Sequence, residues 1–592
     1  MLVWDDQVRI ECPREKLRRL QKHLRSLTGM PAGIERHAAL VAALIEAGEL
    51  TQGIADALLA DRGCDARSDA GAAAMALLAR LAAAVRASWD SGFARLHVPP
   101  EAQIRALAAT ALPMTVEIKR AEGFALYSLY PESYLEAAAR ASLHAGPPIR
   151  VIGVRTIGAP LGALVAATLG APPPVTLRPV GERPHFRVAV AEQLAAELLA
   201  DAASARFAVV DEGPGLSGSS FGAVADFLED RGASPERIHF FASHRGPLAP
   251  CARSRHRRRW TRVTPHVVEL GDLLIHSPRR PEHRLESWVA DLVGEPEAPL
   301  EEISGGRWRR LRYRREADWP ASNPYLERRK FLLRTGEGAW LLKFAGLGPE
   351  GARKLHRARA LHAAGFTPEV RGYRHGFLVE RWQGELPSLD RACGERERLV
   401  AQVGRYLGFR ARHFPAAAER GASLARLWGM ARYNAGLALG EKVARRLDRF
   451  APMLERLGRR VRPIETDNRT HAWEWLLAPD GRLLKTDALD HHAAHDFVGC
   501  QDVAWDVAGA AIELGLSLSE RDRLCAMVEA ERGRHLDPDL LALLAPCYLA
   551  LQLGDHTLST EIAADRPSEG HRLRVAAARY RDRLRHELLP GG

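Results

Sequence analysis

Two stretches in the first half of the chain combine residue types that could hold a phosphorylated, hydroxyl-bearing ligand. The run Phe207-Ala-Val-Val-Asp211-Glu212-Gly-Pro-Gly215-Leu-Ser217-Gly218-Ser219-Ser220 brings two adjacent carboxylates to the end of an apolar segment and follows them with glycine and serine. Glycine lets the backbone approach a ligand, serine hydroxyls donate, and a helix opening after the loop would aim its amides at an anion. The run Val151-Ile-Gly153-Val-Arg155-Thr156-Ile-Gly158-Ala-Pro-Leu turns in the same way, with Arg and Thr at the bend. A phosphate would sit on the loops and hydroxyls would face Asp211 and Glu212.

The second half offers a different set. Lys343 lies in Trp340-Leu-Leu-Lys343-Phe, and a lysine in an apolar strand must find an anion or reach water. Further on come Glu465-Thr-Asp467-Asn468-Arg-Thr-His471, then Lys485-Thr-Asp487, then His491, His492, His495 and Asp496, and finally Asp502, Trp505 and Asp506. His491 and His495 have the i, i+4 spacing of metal ligands on a helix, and a solvated polar loop is the plainer alternative.

These residues need elements to position them. Segments 149–154, 175–179, 207–212 and 237–241 read as strands. Helices over about 159–169, 188–200 and 220–232 separate them. That alternation predicts right-handed βαβ units and a parallel sheet, with sites at the carboxyl ends of the strands. Residues 1–100 read as helical from their i, i+3, i+4, i+7 apolar spacing. Segment 277–300 is rich in proline and charge and is expected to be a linker. Segments 328–344 and 473–489 read as hairpins, 350–365 as a helix and 376–384 as a strand. The remainder from about 395 is mainly helical. The expected fold class is therefore multidomain α/β plus α+β, with a helical region 1–100, a parallel-sheet domain 101–290 and a mixed hairpin-and-helix domain 291–592.

The first constellation resembles the signature of the type I phosphoribosyltransferases, a hydrophobic strand, two acidic residues and a Thr/Gly-rich loop that binds phosphoribosyl pyrophosphate (PRPP). The resemblance implies that Asp211 and Glu212 hold the ribose hydroxyls. Gly215, Ser217, Gly218, Ser219 and Ser220 would cradle the 5-phosphate, and Arg155, Thr156 and Gly158 would contact the pyrophosphate. Arg178, His185 and Arg187 would stand near substrate on a hood or flexible loop, joined by the aromatic run 121–134 if that run is not core packing. The loop is one residue longer than the common pattern and carries Ser where Thr is usual. Phosphoribosyl transfer is implied, usually aided by Mg²⁺, with positioning and charge stabilisation dominant.

The second constellation resembles the aminoglycoside-phosphotransferase branch of the protein-kinase-like fold, which implies that 291–592 is a bilobal kinase-like domain. Lys343 would bind the ATP phosphates, Asp467 would be the catalytic Asp, and Asp487 the Mg²⁺ ligand. Asp502, Trp505 and Asp506 would brace the catalytic loop, and 376–384 would run above adenine. The implied chemistry is phosphoryl transfer by alignment and charge neutralisation. Ala472, flanked by His471, stands where the family has Asn. Arg357 and Arg359 stand where it often has Glu, with Glu350 the nearest substitute. Gly305-Gly306 is the one candidate for a glycine-rich loop.

Composition narrows the classes. At 592 residues, 46% hydrophobic and 27% charged, the chain has the mix of a globular protein of about three or four domains. Its net charge of +11 would suit nucleic acid, an anionic membrane or phosphorylated small molecules. Only eight of the 84 basic residues are Lys, which makes each Lys notable. The Arg runs 254–260 and 308–315 could bind RNA or be solvated faces. No basic leader and no run of about 18 uncharged apolar residues is seen, so no membrane span is expected. The seven scattered Cys lack CxxC spacing and fit a reducing cytoplasm. The leading expectation is a bifunctional transferase using PRPP and ATP. The alternatives are a PRPP- and ATP-sensing regulator or pseudokinase without turnover, and an RNA-binding protein.

Overall fold

The computed structural model describes residues 8–97, 101–143, 145–182, 184–276, 280–392, 395–494 and 498–589. Helices Pro13–Leu27, Ile34–Arg62 and Asp69–Asp90 open the chain. Helix Ile34–Arg62 ends at Gly63, whose left-handed φ of 72° lets its N–H reach the Leu59 carbonyl. Ser68 caps Asp69–Asp90 by accepting from the Gly71 amide. A short ribbon pairs β1 (Val8–Glu11) with β2 (Val116–Lys119).

Two of these helices, Ile34–Arg62 and Asp69–Asp90, are long and apolar enough to cross a membrane by length and composition alone. In the fold they pack against each other and against helix Gly158–Leu169. An apolar surface carried nearly all round a helix is what a central core position requires.

Strands β3 (Ile149–Val154), β4 (Val175–Leu177), β7 (Arg206–Val210) and β8 (Ile238–Phe241) form a fully parallel sheet in the order β4-β3-β7-β8. A small ribbon, β5 (Pro179–Val180) with β6 (Arg187–Val188), hangs beside it. Central β7 is apolar and buried from Phe207 to Val210 because neighbours cover both its edges and both its faces.

The second sheet is antiparallel: β9 (Glu301–Glu302), β10 (Lys330–Thr335), β11 (Gly338–Phe344), β12 (Val370–Arg374) and β13 (Phe377–Arg381), in the order β12-β13-β11-β10-β9. Helix Pro349–Ala363 connects β11 to β12. A separate hairpin, β14 (Trp475–Leu477) with β15 (Leu483–Lys485), lies among C-terminal helices that include Arg396–His413, Val503–Glu513 and Pro538–Ile562.

One apolar core runs from Leu17 and Trp89 through Leu164 and Trp288 to Trp340 and Phe377. It joins the N-terminal helices, one face of the parallel sheet and the back of the antiparallel sheet. A second core fills the C-terminal helices, and a third lies on the other face of the parallel sheet. The linker expectation for 277–300 is corrected here. Residues 277–279 lie outside the described residues, but Leu285–Val293 is a helix that buries Leu285, Trp288, Val289 and Val293 in the first core.

Some arginines of the two basic runs are ion-paired within the chain. In helix Ser254–Arg262, Arg255 and Arg259 pair with Asp226 and Glu229. In 308–315, Arg309 is buried against Glu569 and Arg315 pairs with Asp318. The six described cysteines are all free thiols.

Candidate functional site

Between the antiparallel sheet and the C-terminal helices lies a cleft with roughly 1780 Å³ of empty space, open solvent at its mouth included. Its sheet wall carries Lys330, Lys343, Glu380, Trp382 and Gln383. Its floor carries Glu474, Asp487, Asp490 and His491, and its far wall Gln552, Asp555 and His556.

Lys343 and Asp487 form a close ion pair across this cleft. Lys343 Nζ also lies 3.3 Å from Asp490 Oδ1. Burial alone would lower the Lys343 pKa, but Asp487 and Asp490 outweigh it and hold the ammonium above its usual range. Asp487 follows β15 at a left-handed φ of 55°. Burial opposes its charge, and Lys343 and Lys330 overcome that and keep it ionised. Asp490 also meets Lys354 at 3.4 Å and Arg328 at 3.3 Å. Glu380, half-buried in the sheet wall, is pushed up to about 7 by desolvation, which Lys343 only partly offsets.

Asp467 sits beneath this floor, at 1% exposure. It accepts from the Tyr406 hydroxyl, lies 3.5 Å from Lys485 Nζ and 3.6 Å from His491 Nδ1. Its backbone N–H and that of Asn468 donate to the Asp506 carboxylate at 2.8 and 2.9 Å. Asp502 caps helix Val503–Glu513 and also accepts from the Arg462 amide at 3.0 Å. Asp506 therefore ties the 467–468 loop to that helix, and Trp505 is wholly buried in the second core.

Sequence reasoning singled out Lys343, Asp467, Asp487, Asp502 and Asp506; of these, Lys343 and Asp487 line the cleft, Asp467 lies beneath its floor, and Asp506 and Asp502 stand behind it at helix Val503–Glu513. It missed Asp490, Lys354, Arg328, Tyr406 and Arg410. Arg410 donates to Tyr406 at 2.9 Å and to the Ala488 carbonyl at 2.8 Å. Lysine scarcity is the signal that could have found Lys354, since four of the eight lysines (Lys330, Lys343, Lys354 and Lys485) converge here. Arg357 makes its own ion pair with Glu465. His471 lies 3.1 Å from Glu513. Of the expected histidine cluster, His491 and His492 are buried, while His495 and Asp496 lie outside the described residues.

Glu474, Asp487 and His491 bring ligand atoms within 4.8 Å of one another. The two carboxylates suit a hard cation such as Mg²⁺, which favours oxygen donors; the imidazole suits it less. The donor set therefore fits Mg²⁺ through Asp487 and Glu474.

The first constellation is assembled at the mouth of the parallel sheet. Gly153 and Gly158 permit the close approach of the two loops: a Cβ on Gly158 would stand 2.5 Å from the Val210 carbonyl oxygen, and one on Gly153 2.2 Å from that of Gly158. The Arg155–Thr156 peptide is cis. Tyr134 donates to the Asp211 carbonyl at 2.6 Å, and Ser219 Oγ donates to Ser217 Oγ at 2.6 Å. Gly215 and Gly218 both have positive φ, and Ser219 and Ser220 open helix Ser219–Glu229. Burial pushes the Asp211 carboxyl up to about 7, and burial with the adjacent Asp211 carries Glu212 up to about 8. Arg155, however, is buried and ion-paired with Asp56 and Asp65 of the N-terminal region, and Arg178 pairs with Asp56 while donating to Thr156 Oγ1 at 3.3 Å.

No family model matches the chain, and no curated protein matches it. Solved structures resemble part of it. The choline kinase LicA from Streptococcus pneumoniae is 13% identical, covering 44% of this chain and 89% of its own, at a TM-score of 0.28. A spectinomycin phosphotransferase in complex with ADP and spectinomycin is 10% identical over 51% of this chain and 96% of its own, at 0.33. A choline/ethanolamine kinase family protein from Mesorhizobium loti is 14% identical over 43% and 89%, at 0.27. At these TM-scores the likeness carries no functional assignment.

Proposed function

We propose that the cleft is the site of ATP-dependent phosphoryl transfer to a small molecule bearing a nucleophilic group. The observation that carries this reading is the Lys343–Asp487 pair, a strand lysine facing a hairpin carboxylate across a deep cleft. A polyphosphate and a divalent cation would exchange into that pair, the phosphates taking Lys343 and the cation Asp487. Asp490, held by Lys354 and Arg328, keeps Lys343 aimed at the cleft. Leu341, Trp382 and Gln383 supply an apolar slot with a polar edge for a base. Mg²⁺, when bound to Asp487 and Glu474, would neutralise charge on the transferred group.

Asp467 is too deep to touch an acceptor directly. In this reading it acts through His491, whose Nδ1 lies 3.6 Å from its Oδ1 and whose ring lines the cleft floor. His491 would take the acceptor's proton, and Asp467 would favour the resulting imidazolium. The direct test is ADP release from Mg-ATP by the full chain with a mixed pool of hydroxyl and amine acceptors. Turnover that Asp487→Asn abolishes supports transfer; no binding of ATP or ADP to the chain refutes it.

A second reading concerns Asp211 and Glu212. Two adjacent carboxylates with raised pKa, Asp211 buried and Glu212 half-buried, beside a Gly/Ser loop that opens a helix, support binding of a phosphoribosyl-type ligand there. Because Arg155 and Arg178 are engaged by Asp56 and Asp65, binding without transfer, as in a sensor, is the form of this reading that fits best. Calorimetry with PRPP and a pyrophosphate-release assay separate binding from transfer, and no heat at all removes both.

A further inference from the structure

His37 on helix Ile34–Arg62, Glu132 on helix Pro131–Arg140 and His375 in the β12–β13 turn meet in the interior. They come from segments far apart in sequence, and none reaches solvent appreciably: exposures are 1%, 0% and 2%. His37 Nε2 and His375 Nε2 each lie 2.9 Å from the same oxygen, Glu132 Oε1. The second oxygen, Oε2, is buried and has no hydrogen-bond partner among the described residues. The far nitrogen of His37, Nδ1, is 3.0 Å from Ser88 Oγ.

A simple hydrogen-bonded triad explains Oε1 but leaves Oε2 desolvated and bare, which native interiors rarely tolerate. One ring nitrogen aimed at a common point, with the other fixed by an outer hydroxyl, is the habit of metal-binding histidine. Two imidazoles and one carboxylate are the donor set of zinc-class transition ions. We propose that His37, Glu132 and His375 hold a zinc-class divalent cation, with both Glu132 oxygens facing it. The ion would pin the N-terminal helices and helix Pro131–Arg140 to the turn between β12 and β13. This site is separate from the cleft and does not depend on the phosphotransfer reading.

The test uses the full chain produced without a polyhistidine tag. Elemental analysis should find one zinc per chain. Zinc content should fall at least ~10-fold in His375→Ala and in Glu132→Gln, the latter keeping a hydrogen-bonding side chain of the same shape but losing the anionic donor. If the histidine variant fails to fold, Ser88→Ala serves instead, since it frees only the outer contact of His37; zinc affinity should fall ~10–100-fold with the fold intact. Chelator should lower the Tm of the wild type and leave that of Glu132→Gln unmoved. Absence of zinc in the wild type, with no uptake of added Zn²⁺ and no effect of chelator on Tm, would overturn the proposal and leave a hydrogen-bonded triad. Zinc that persists undiminished in both Glu132→Gln and His375→Ala would also overturn it.

Discussion

Lys485 holds its ammonium 3.5 Å from the Asp467 carboxylate, and neither side chain reaches solvent. The same ammonium lies 2.8 Å from Glu474 Oε2. Lys485 thus joins the buried carboxylate beneath the cleft floor to one that lines it. Lys485→Met would remove the ammonium shared by two buried carboxylates, leaving Glu474 without its ion pair and Asp467 with only Arg410 and His491 nearby. The expected loss is about 3–5 kcal/mol of stability, the usual result of breaking a buried ion pair from one side. Urea unfolding measures it, and a loss under about 1 kcal/mol would mean that Lys485 clamps nothing.

Lys343→Met and Asp487→Asn should each lower ATP turnover about 100-fold or more, because each removes a preorganised charge from the reacting groups. If the two act as one unit, the double variant should be scarcely worse than either single one. Independent, multiplying losses in initial-rate assays would show that the pair across the cleft is incidental.

Asp211 and Glu212 make a pH prediction. Their folded pKa values, about 7 and about 8, lie above the unfolded carboxylate range near 4. Between those limits the folded chain binds more protons than the unfolded chain. Stability from these groups is therefore full at low pH and is lost as pH rises from about 4 towards about 7–8. Asp211→Asn removes one titrating group and relieves its neighbour, so its fall in Tm between mildly acid and mildly alkaline buffer should be smaller than that of the wild type. An equal or larger fall would show that these carboxyls titrate normally.

Arg309 and Glu569 form a buried ion pair between segment 307–311 and the C-terminal helix, with Nη2 to Oε2 at 2.8 Å. Glu569→Leu alone should cost about 3–5 kcal/mol, whereas Arg309→Met together with Glu569→Leu should recover much of that loss. Thermal unfolding of the four proteins of this cycle checks the coupling. Additive losses would place the stability elsewhere in the 307–311 segment.

Much of the site could be read before the fold was seen, for identifiable reasons. Lys343 and Lys485 stood out because lysine is scarce in an arginine-rich chain, and both are buried among carboxylates. Asp506 stood out by its spacing from Asp502, and its carboxylate does hold the 467–468 backbone. Asp490 and Lys354 were not seen, because their partner contacts span 136–162 residues of sequence and no local pattern encodes them. Asp56 and Asp65 escaped for the same reason: nothing near them shows that Arg155 will fold against them. The helix at 285–293 was hidden by flanking proline and charge, although Leu285, Trp288, Val289 and Val293 mark a buried face once the helix is drawn.

The single apolar core behind β10–β13 has a mechanical consequence. The antiparallel sheet is fastened to the N-terminal half by the Leu347 amide on the Phe124 carbonyl at 2.9 Å, by Tyr130 on the His375 carbonyl at 2.7 Å, and by Arg374 on Glu35 at 2.8 Å. The sheet is therefore built into the N-terminal half on one side while Leu378 and Ala345 key it into the C-terminal core on the other, so the wall that carries Lys343 is shared framework rather than a free-standing lobe.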